Sequence, residues 1–314
     1  MASLVERNLK QPILIVGTGA LATLFAARLS AVGHAITMLG SWENGLQALN
    51  TNGARLVDTD GVEQAYHVHA TDAPEDCSDA RFALVLVKSW QTERVAKQLT
   101  NCLSDDGLAL TLQNGIGNRE LLAGTLGLPR VALGVTTTGA TLLGPGLVRA
   151  GGEGVVSVEK HPRLEPLEAA LSEAGFNVQT VADADALVWG KLVINAAINP
   201  LTALLRVPNG ELLQRPAAHK MMGVLAQEAA AVATAQGIHL PFENAVQAAE
   251  DVARKTAANH SSMFQDIRRG APTEIDAICG AITKTGEKFG VSTPVNRVCW
   301  HLTRASLPVA QRAH

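Results

Sequence analysis

The run ILIVG (13–17) passes directly into GTGALA and an alanine-rich helical stretch, ALATLFAARLSAVG (20–33). That junction constrains the fold more than any other feature of the chain. A short β-rich strand, a glycine turn and a helix make the opening half of a βαβ unit, which belongs in a parallel sheet covered by helices. The spacing Gly17-x-Gly19-x-x-Ala22 is the G-x-G-x-x-G/A fingerprint of a dinucleotide site. Gly17 permits the tight turn, Gly19 lets backbone approach a pyrophosphate, and Ala22 allows close helix–strand contact. Unpaired N–H groups at the start of the helix, at Ala20 and Leu21, are then available to the phosphates. Gly33 is a natural helix stop, and HAITMLG (34–40) supplies the second strand on schedule.

At the end of that second strand an NAD site usually carries Asp or Glu, and an NADP site an arginine nearby. This chain has Leu39-Gly40-Ser41-Trp42, with Glu43 arriving late and no arginine beside it. The residues themselves leave NAD against NADP open.

The strand–helix alternation continues through the first half. RLVDTDGVEQAYHVHA (55–70) reads as a hairpin about Asp60-Gly61. FALVLVK (82–88) and LALTLQN (108–114) are continuous apolar strands, as a parallel sheet buried on both faces requires. Further strands are expected in 131–143, 147–159 and 177–183. From about Ala184 the pattern changes to long helical stretches. The expected architecture is therefore α/β plus all-α: a Rossmann-type doubly wound sheet over 1–183, then a helical domain over 184–314.

Composition narrows the function. With 26 Lys and Arg against 29 Asp and Glu, the formal net charge is −3, without the basic excess that nucleic-acid binding needs. The N-terminus lacks the pattern of a secretory signal, and no run of about 18 uninterrupted apolar residues predicts a membrane span. Cys77, Cys102, Cys279 and Cys299 are scattered without a CxxC pair, which fits reduced thiols in the cytoplasm. The nine histidines form no metal-binding pattern, so no metal is expected.

Several polar residues stand out. In GKLVINAAINPLTALL (190–205), Lys191, Asn195 and Asn199 fall at i, i+4 and i+8 on one stripe of an otherwise apolar helix. Buried lysines and amides need partners, so the stripe is either a structural network or the wall of a cleft, with Lys191 as a proton donor. Pro200 is expected to disrupt the helix after Asn199. Lys88 and Asn114 end two apolar strands and point toward the dinucleotide site, unless they are a solvated strand end and a turn residue. In NHSSMFQDIRRGAPTEIDAI (259–278), Ser261 and Ser262 suit helix capping and Glu274 suits a helix first turn. Asp266, Arg268 and Arg269 read as a surface or inter-helix salt network rather than chemistry.

Taken together, GTGALA, KSWQ after Val87, QNG (113–115), GVTTTGA (134–140), GKLVINAAINPLTALLRVPNGEL (190–212) and NHSSMFQDIRRGAPTEID (259–276) resemble the ketopantoate reductase (2-dehydropantoate 2-reductase) family along essentially the whole chain. The resemblance implies NADPH-dependent reduction of 2-dehydropantoate to (R)-pantoate, in the route to pantothenate and coenzyme A. It implies that Lys191 is the general acid and that Glu274 supports it and binds the hydroxyl side of the substrate. Asn195, Asn199 and Ser262 then bind the substrate, Asn114 lies between nicotinamide and substrate, and Lys88 and Gln91 lie near the cofactor. One departure is the family's usual arginine for the NADPH 2′-phosphate, replaced here by Ser41-Trp42; Trp42 would stack on adenine and NADH becomes possible. The implied protein is a cytoplasmic monomer or homodimer acting on a small 2-oxo acid, with no nucleic-acid or membrane partner. Two other readings stay open: a reductase of another branched 2-oxo acid, and a catalytically silent NADP(H)-sensing protein.

Overall fold

Successive residues of the opening strand face opposite ways, and here both directions are buried. Ile13 and Ile15 join one apolar cluster, Leu14 and Val16 another. The computed structural model describes residues 10–58, 60–152 and 154–307. They fall into two units: one ends at Val87 and resumes over Gln91–Gln113 and Arg119–Ala182, and the other holds Lys88–Trp90, Asn114–Asn118 and the chain from Asp183.

The first unit runs β1 (Ile13–Val16), α1 (Ala20–Ala31), β2 (Ile36–Leu39), α2 (Glu43–Asn52), β3 (Ala54–Val57), β4 (Glu63–Tyr66), β5 (His69–Thr71) and β6 (Ala80–Val85). It continues with α3 (Thr92–Cys102), β7 (Leu103–Thr111), α4 (Asn118–Leu126), β8 (Val131–Thr136), β9 (Ala140–Gly144), β10 (Leu147–Ala150), β11 (Val155–Glu159), α5 (Glu165–Glu173) and β12 (Asn177–Val181). Eight strands form one sheet in the order β12-β11-β8-β7-β6-β1-β2-β5. All its pairs are parallel except β8 with β11. Alternation then sorts the core: Phe82, Leu84, Leu108 and Leu110 pack with α1 and α5, while Ala83, Val85 and Ala109 pack with α3 and α4.

The expected single sheet needs correction. The hairpin about Asp60-Gly61 forms, but its strands belong to a separate four-stranded sheet, β4-β3-β10-β9. This sheet packs on α1. Its presence follows from α1 itself, which buries Ala22 through Ala27 and so has little polar face to offer water. A helix apolar all round needs a cover on its far side. Two strand ends are also shorter than the apolar runs suggest: β6 stops at Val85 and β7 at Thr111, so Lys88 and Asn114 lie three residues beyond them.

The second unit is helical and centres on α6 (Ala184–Leu205). Asp183 caps it, its side chain accepting from the Ala186 amide at 2.9 Å. Around it lie α7 (Glu211–Gln214), α8 (Pro216–Ala235), α9 (Ala245–Lys255), α10 (Ser262–Arg268), α11 (Ala281–Phe289) and α12 (Pro294–Ser306). A π-turn (Asp276–Gly280) feeds α11. Leu192, Val193, Ala196, Ala197 and Ile198 share a core with Met222, Leu225 and Ala226 of α8. Pro200 does not end α6, contrary to expectation. The proline removes one amide that the Ala196 carbonyl would have received, but burial of Pro200 and its neighbours holds the helix for five more residues. By length and composition α6 could cross a membrane, yet 72% of its apolar window is buried inside the protein, as in a core helix.

Candidate active site

The glycine turn in the first unit has the shape its spacing demands. Gly17 takes φ +130°, and a Cβ there would come within 3.2 Å of the Leu86 carbonyl carbon, so only glycine fits. A Cβ on Gly19 would instead meet nothing within 4 Å. Protein packing therefore does not demand a glycine at 19; the open space beside it is what a dinucleotide phosphate would fill. Among the described residues no side chain caps α1, and its first turn has no acidic residue. The amides of Ala20 and Leu21 are left for an anion, and Ala22 is fully buried against the sheet.

Beyond β2, Ser41 is exposed and Trp42 is the residue ahead of α2, with its indole 37% exposed. The ring lies against Gly45, where a side chain would displace it. Glu43 occupies the first turn of α2, and no lysine or arginine occurs between Arg28 and Arg55. The exposed indole of Trp42 is a flat apolar surface of the kind an adenine ring could cover, and the stretch 29–54 offers no lysine or arginine to a 2′-phosphate. Gln91, half-buried, is the residue ahead of α3. Gln113 is a buried clamp that sequence reasoning passed over: its amide donates to the Val87 carbonyl at 3.1 Å and to Thr92 Oγ1 at 2.8 Å.

In the second unit a charged cluster forms from four separate stretches of chain. Glu274, only 5% exposed, accepts from Lys88 Nζ at 3.3 Å, Asn114 Nδ2 at 3.1 Å and the Ser89 amide at 3.2 Å. It lies just before the π-turn rather than in a helix first turn. Lys88 also donates to Asp266 Oδ2 at 2.7 Å, and Arg269 donates to Asp266 Oδ1 at 2.8 Å. Asp266 is 2% exposed, so of the two expected settings for the salt network, surface and inter-helix, the surface one does not hold at its carboxylate. The sequence marks Asp266 only as a partner for Arg269 three residues later, and nothing in it points to Lys88. The QNG turn is locked to the same region, since the Ile116 amide donates to the Ala277 carbonyl at 3.3 Å. Gly115 there has φ +83°, and a Cβ would lie 2.5 Å from the Ala277 oxygen.

Lys191 and Asn195 on α6 are half-buried and Asn199 is buried, so the stripe is a real face of the helix. Burial pulls the Lys191 ammonium down from 10.5 to about 8, against the opposing attraction of Glu274. Lys88 moves the other way: burial works against its charge, but Glu274 and Asp266 outweigh that and raise it. Burial pushes the Asp266 carboxyl up, and the pull of Lys88 offsets that only in part. The cluster thus keeps one lysine firmly charged and the other ready to release its proton. Ser262 is exposed as the first residue of α10, and it is Ser261 that caps the helix, accepting from the Phe264 amide at 3.1 Å. Ser261 also shares a 2.7 Å hydrogen bond with Thr202 of α6.

Comparison with known proteins points the same way. The family described as ketopantoate reductase PanE/ApbA matches residues 13–163, and its C-terminal part matches residues 183–306. A 2-dehydropantoate 2-reductase of Archaeoglobus fulgidus is 38% identical over 94% of this chain and 97% of its own length. The crystal structure of a PanE/ApbA family ketopantoate reductase from Ralstonia eutropha superposes with a TM-score of 0.88 at 30% identity, covering 94% of this chain and 98% of that one. D-mandelate dehydrogenase, solved with NADH and anilino(oxo)acetate, gives a TM-score of 0.88 at 27% identity over the same shares. With the family matching over 13–163 and 183–306, and a relative 38% identical along nearly its whole length, the chain belongs to the ketopantoate reductase PanE/ApbA family.

Proposed function

We propose that this protein reduces 2-dehydropantoate to (R)-pantoate with NADPH, working in the cytoplasm as a monomer or homodimer. The single observation that carries the reading is Lys191, lowered to about 8 and facing the charge of Glu274. In this reading residues 1–183 bind the cofactor and 184–314 bind substrate and perform catalysis, with Lys88 and Asn114 contributing to the latter. Gly17, Gly19 and the first amides of α1 hold the pyrophosphate, and Trp42 stacks on adenine. The reduced nicotinamide, when bound, supplies a hydride to the ketone carbon of the substrate.

The chain's own residues handle the charge that this leaves on oxygen. Lys191 Nζ gives its proton to the developing alkoxide, so no free alkoxide forms, an effect typically worth about 10²–10⁴-fold. At pH 7 a lysine lowered to about 8 is still about nine-tenths protonated, which gives a ready acid. Glu274 holds the ammonium in place and returns it to the charged state. Asn195, Asn199 and Ser262 bind the hydroxyl and carboxylate of the substrate without adding charge to the site. The test is loss of absorbance at the reduced nicotinamide band with 2-dehydropantoate, using NADPH and NADH in parallel. Oxidation of neither would refute the reading. Lys191→Ala is expected to bind cofactor normally and to lose at least about 10²-fold in kcat.

A second reading has its own support. The likeness to D-mandelate dehydrogenase with NADH, and the lack of a cation after β2, favour another branched 2-oxo acid with NADH as hydride source. A panel of 2-oxo acids ranked by kcat/KM separates the two.

A further inference from the structure

The buried cluster of the second unit holds two carboxylates, Asp266 and Glu274, and one ammonium, Lys88, lies within hydrogen-bonding distance of both. The sharing is unequal: 2.7 Å to Asp266 Oδ2 and 3.3 Å to Glu274 Oε2. Asp266 is itself shared, because its other oxygen receives Arg269 Nη2 at 2.8 Å. Glu274 spends one oxygen on the Ser89 amide and the other on Asn114 and Lys88. Whatever charge of Glu274 Lys88 does not neutralise is left to act on Lys191. Three ion pairs therefore link Arg269, Asp266, Lys88 and Glu274 with alternating sign, and the charge of Glu274 acts in turn on Lys191.

We propose that Asp266 is a positioning residue that draws the Lys88 ammonium away from Glu274, and so sets how much of the Glu274 charge reaches Lys191. This rests on the reading of Lys191 as the proton donor. The geometry gives the proposal its direction. Remove the Asp266 charge and Lys88 turns wholly to Glu274, which then stabilises the Lys191 ammonium less. Remove Arg269 and Asp266 depends on Lys88 alone, drawing it further from Glu274, so that Lys191 is stabilised more. Opposite charges in a partly dry site are worth far more than on the surface, so a change in one pair is felt by the next.

Several of the other charged groups on elements around α6 are engaged elsewhere. His219 of α8 pairs with Glu250 of α9. Glu228 of α8 accepts from the Val295 and Asn296 amides of α12. Asp276 of the π-turn accepts from Trp300 and pairs with Arg304 of α12, and Glu211 of α7 pairs with Arg215. Glu274 is the charge that acts on Lys191.

The test is the pH profile of kcat for reduction, measured from pH 6 to 10 on the full chain with 2-dehydropantoate and NADPH. In the unaltered protein kcat falls on the basic side as Lys191 loses its proton, and Lys191→Arg, which stays protonated, lacks that limb. Asp266→Asn is expected to move the limb to lower pH by about half to one pH unit, a loss of about 2- to 5-fold in kcat at pH 8 with little change at pH 6. Arg269→Gln, on an exposed arginine, is expected to move it to higher pH, and Asp266→Glu to restore most of the original profile. Should Asp266→Asn fail to fold, the upward shift in Arg269→Gln carries the test alone. A limb that both substitutions leave unmoved, or shift in the same direction, overturns the proposal. If no limb exists, or Lys191→Arg keeps it, the reading of Lys191 is what fails. A purely structural Asp266 would lower kcat equally at every pH.

Discussion

Replacing Lys191 by methionine should make this protein more stable while stopping its chemistry. The side chain keeps its length and apolar stem but loses the ammonium. A lysine lowered from 10.5 to about 8 disfavours the folded state, at about 1.4 kcal/mol per pH unit, by at most about 3.5 kcal/mol at pH 7. The residue is only half-buried, so solvent screening trims this to about 2 kcal/mol. The sign is fixed by linkage. The unfolded chain binds the proton more tightly, so the penalty is fully present below pH 8 and fades as pH rises from about 8 toward 10.5. The stability gain in Lys191→Met should thus be about 2 kcal/mol at pH 7, roughly half that at pH 9.5, and nothing above about 10.5. Urea unfolding of both proteins, followed by tryptophan fluorescence at pH 7 and 9.5, measures the difference directly. A variant less stable than the parent, or a gain that does not change between the two pH values, refutes the reasoning. Stability gained by removing a catalytic group is the usual sign of strain accepted for function.

Gly19→Ala should fold with a stability within about 0.5 kcal/mol of the parent, since its Cβ meets open space, yet bind NADPH at least about tenfold more weakly in a fluorescence titration. Gly115→Ala should cost about 2–3 kcal/mol, visible as a lower melting temperature, because φ is +83° and the Cβ collides with the Ala277 oxygen. Glu228→Ala removes the carboxylate that accepts from the Val295 and Asn296 amides at 2.9 Å and from Asn296 Nδ2 at 2.8 Å. It should destabilise by about 2–4 kcal/mol in urea unfolding and leave KM unchanged.

The parts of the fold that follow from short-range pattern were legible. ILIVG, GTGALA and the apolar strand runs dictate a sheet with two buried faces because alternate residues such as Ile13 and Leu14 are equally apolar. What stayed hidden depends on partners distant in sequence. Leu142 and Val148 look like any strand residues, and only the apolar back of α1 explains why they leave the main sheet for a second one. Pro200 reads as a helix breaker because its local cost is visible and the surrounding core that offsets it is not. Lys191, Asn195 and Asn199 were found by helical period alone. Asp266 was legible only as a member of a salt network, because an i,i+3 Asp–Arg pair looks the same on a surface as in a core; its partner Lys88 lies 178 positions away.

The membership of Lys88–Trp90 and Asn114–Asn118 in the second unit bears on how this chain can be cut and recombined. A gene fragment starting at Asp183 would encode every helix from α6 to α12, and by topology it looks like a transplantable module. It would nonetheless leave Glu274 without the Lys88, Ser89 and Asn114 donors, and Asp266 without Lys88. Two carboxylates with so little exposure cannot be stranded in that way at neutral pH; they would have to take up protons or open the fold to water. Two short excursions of the chain, three and five residues long by their bounds, thus make the second unit depend on sequence encoded before Asp183, and a recombination point there is penalised by buried charge inside that unit.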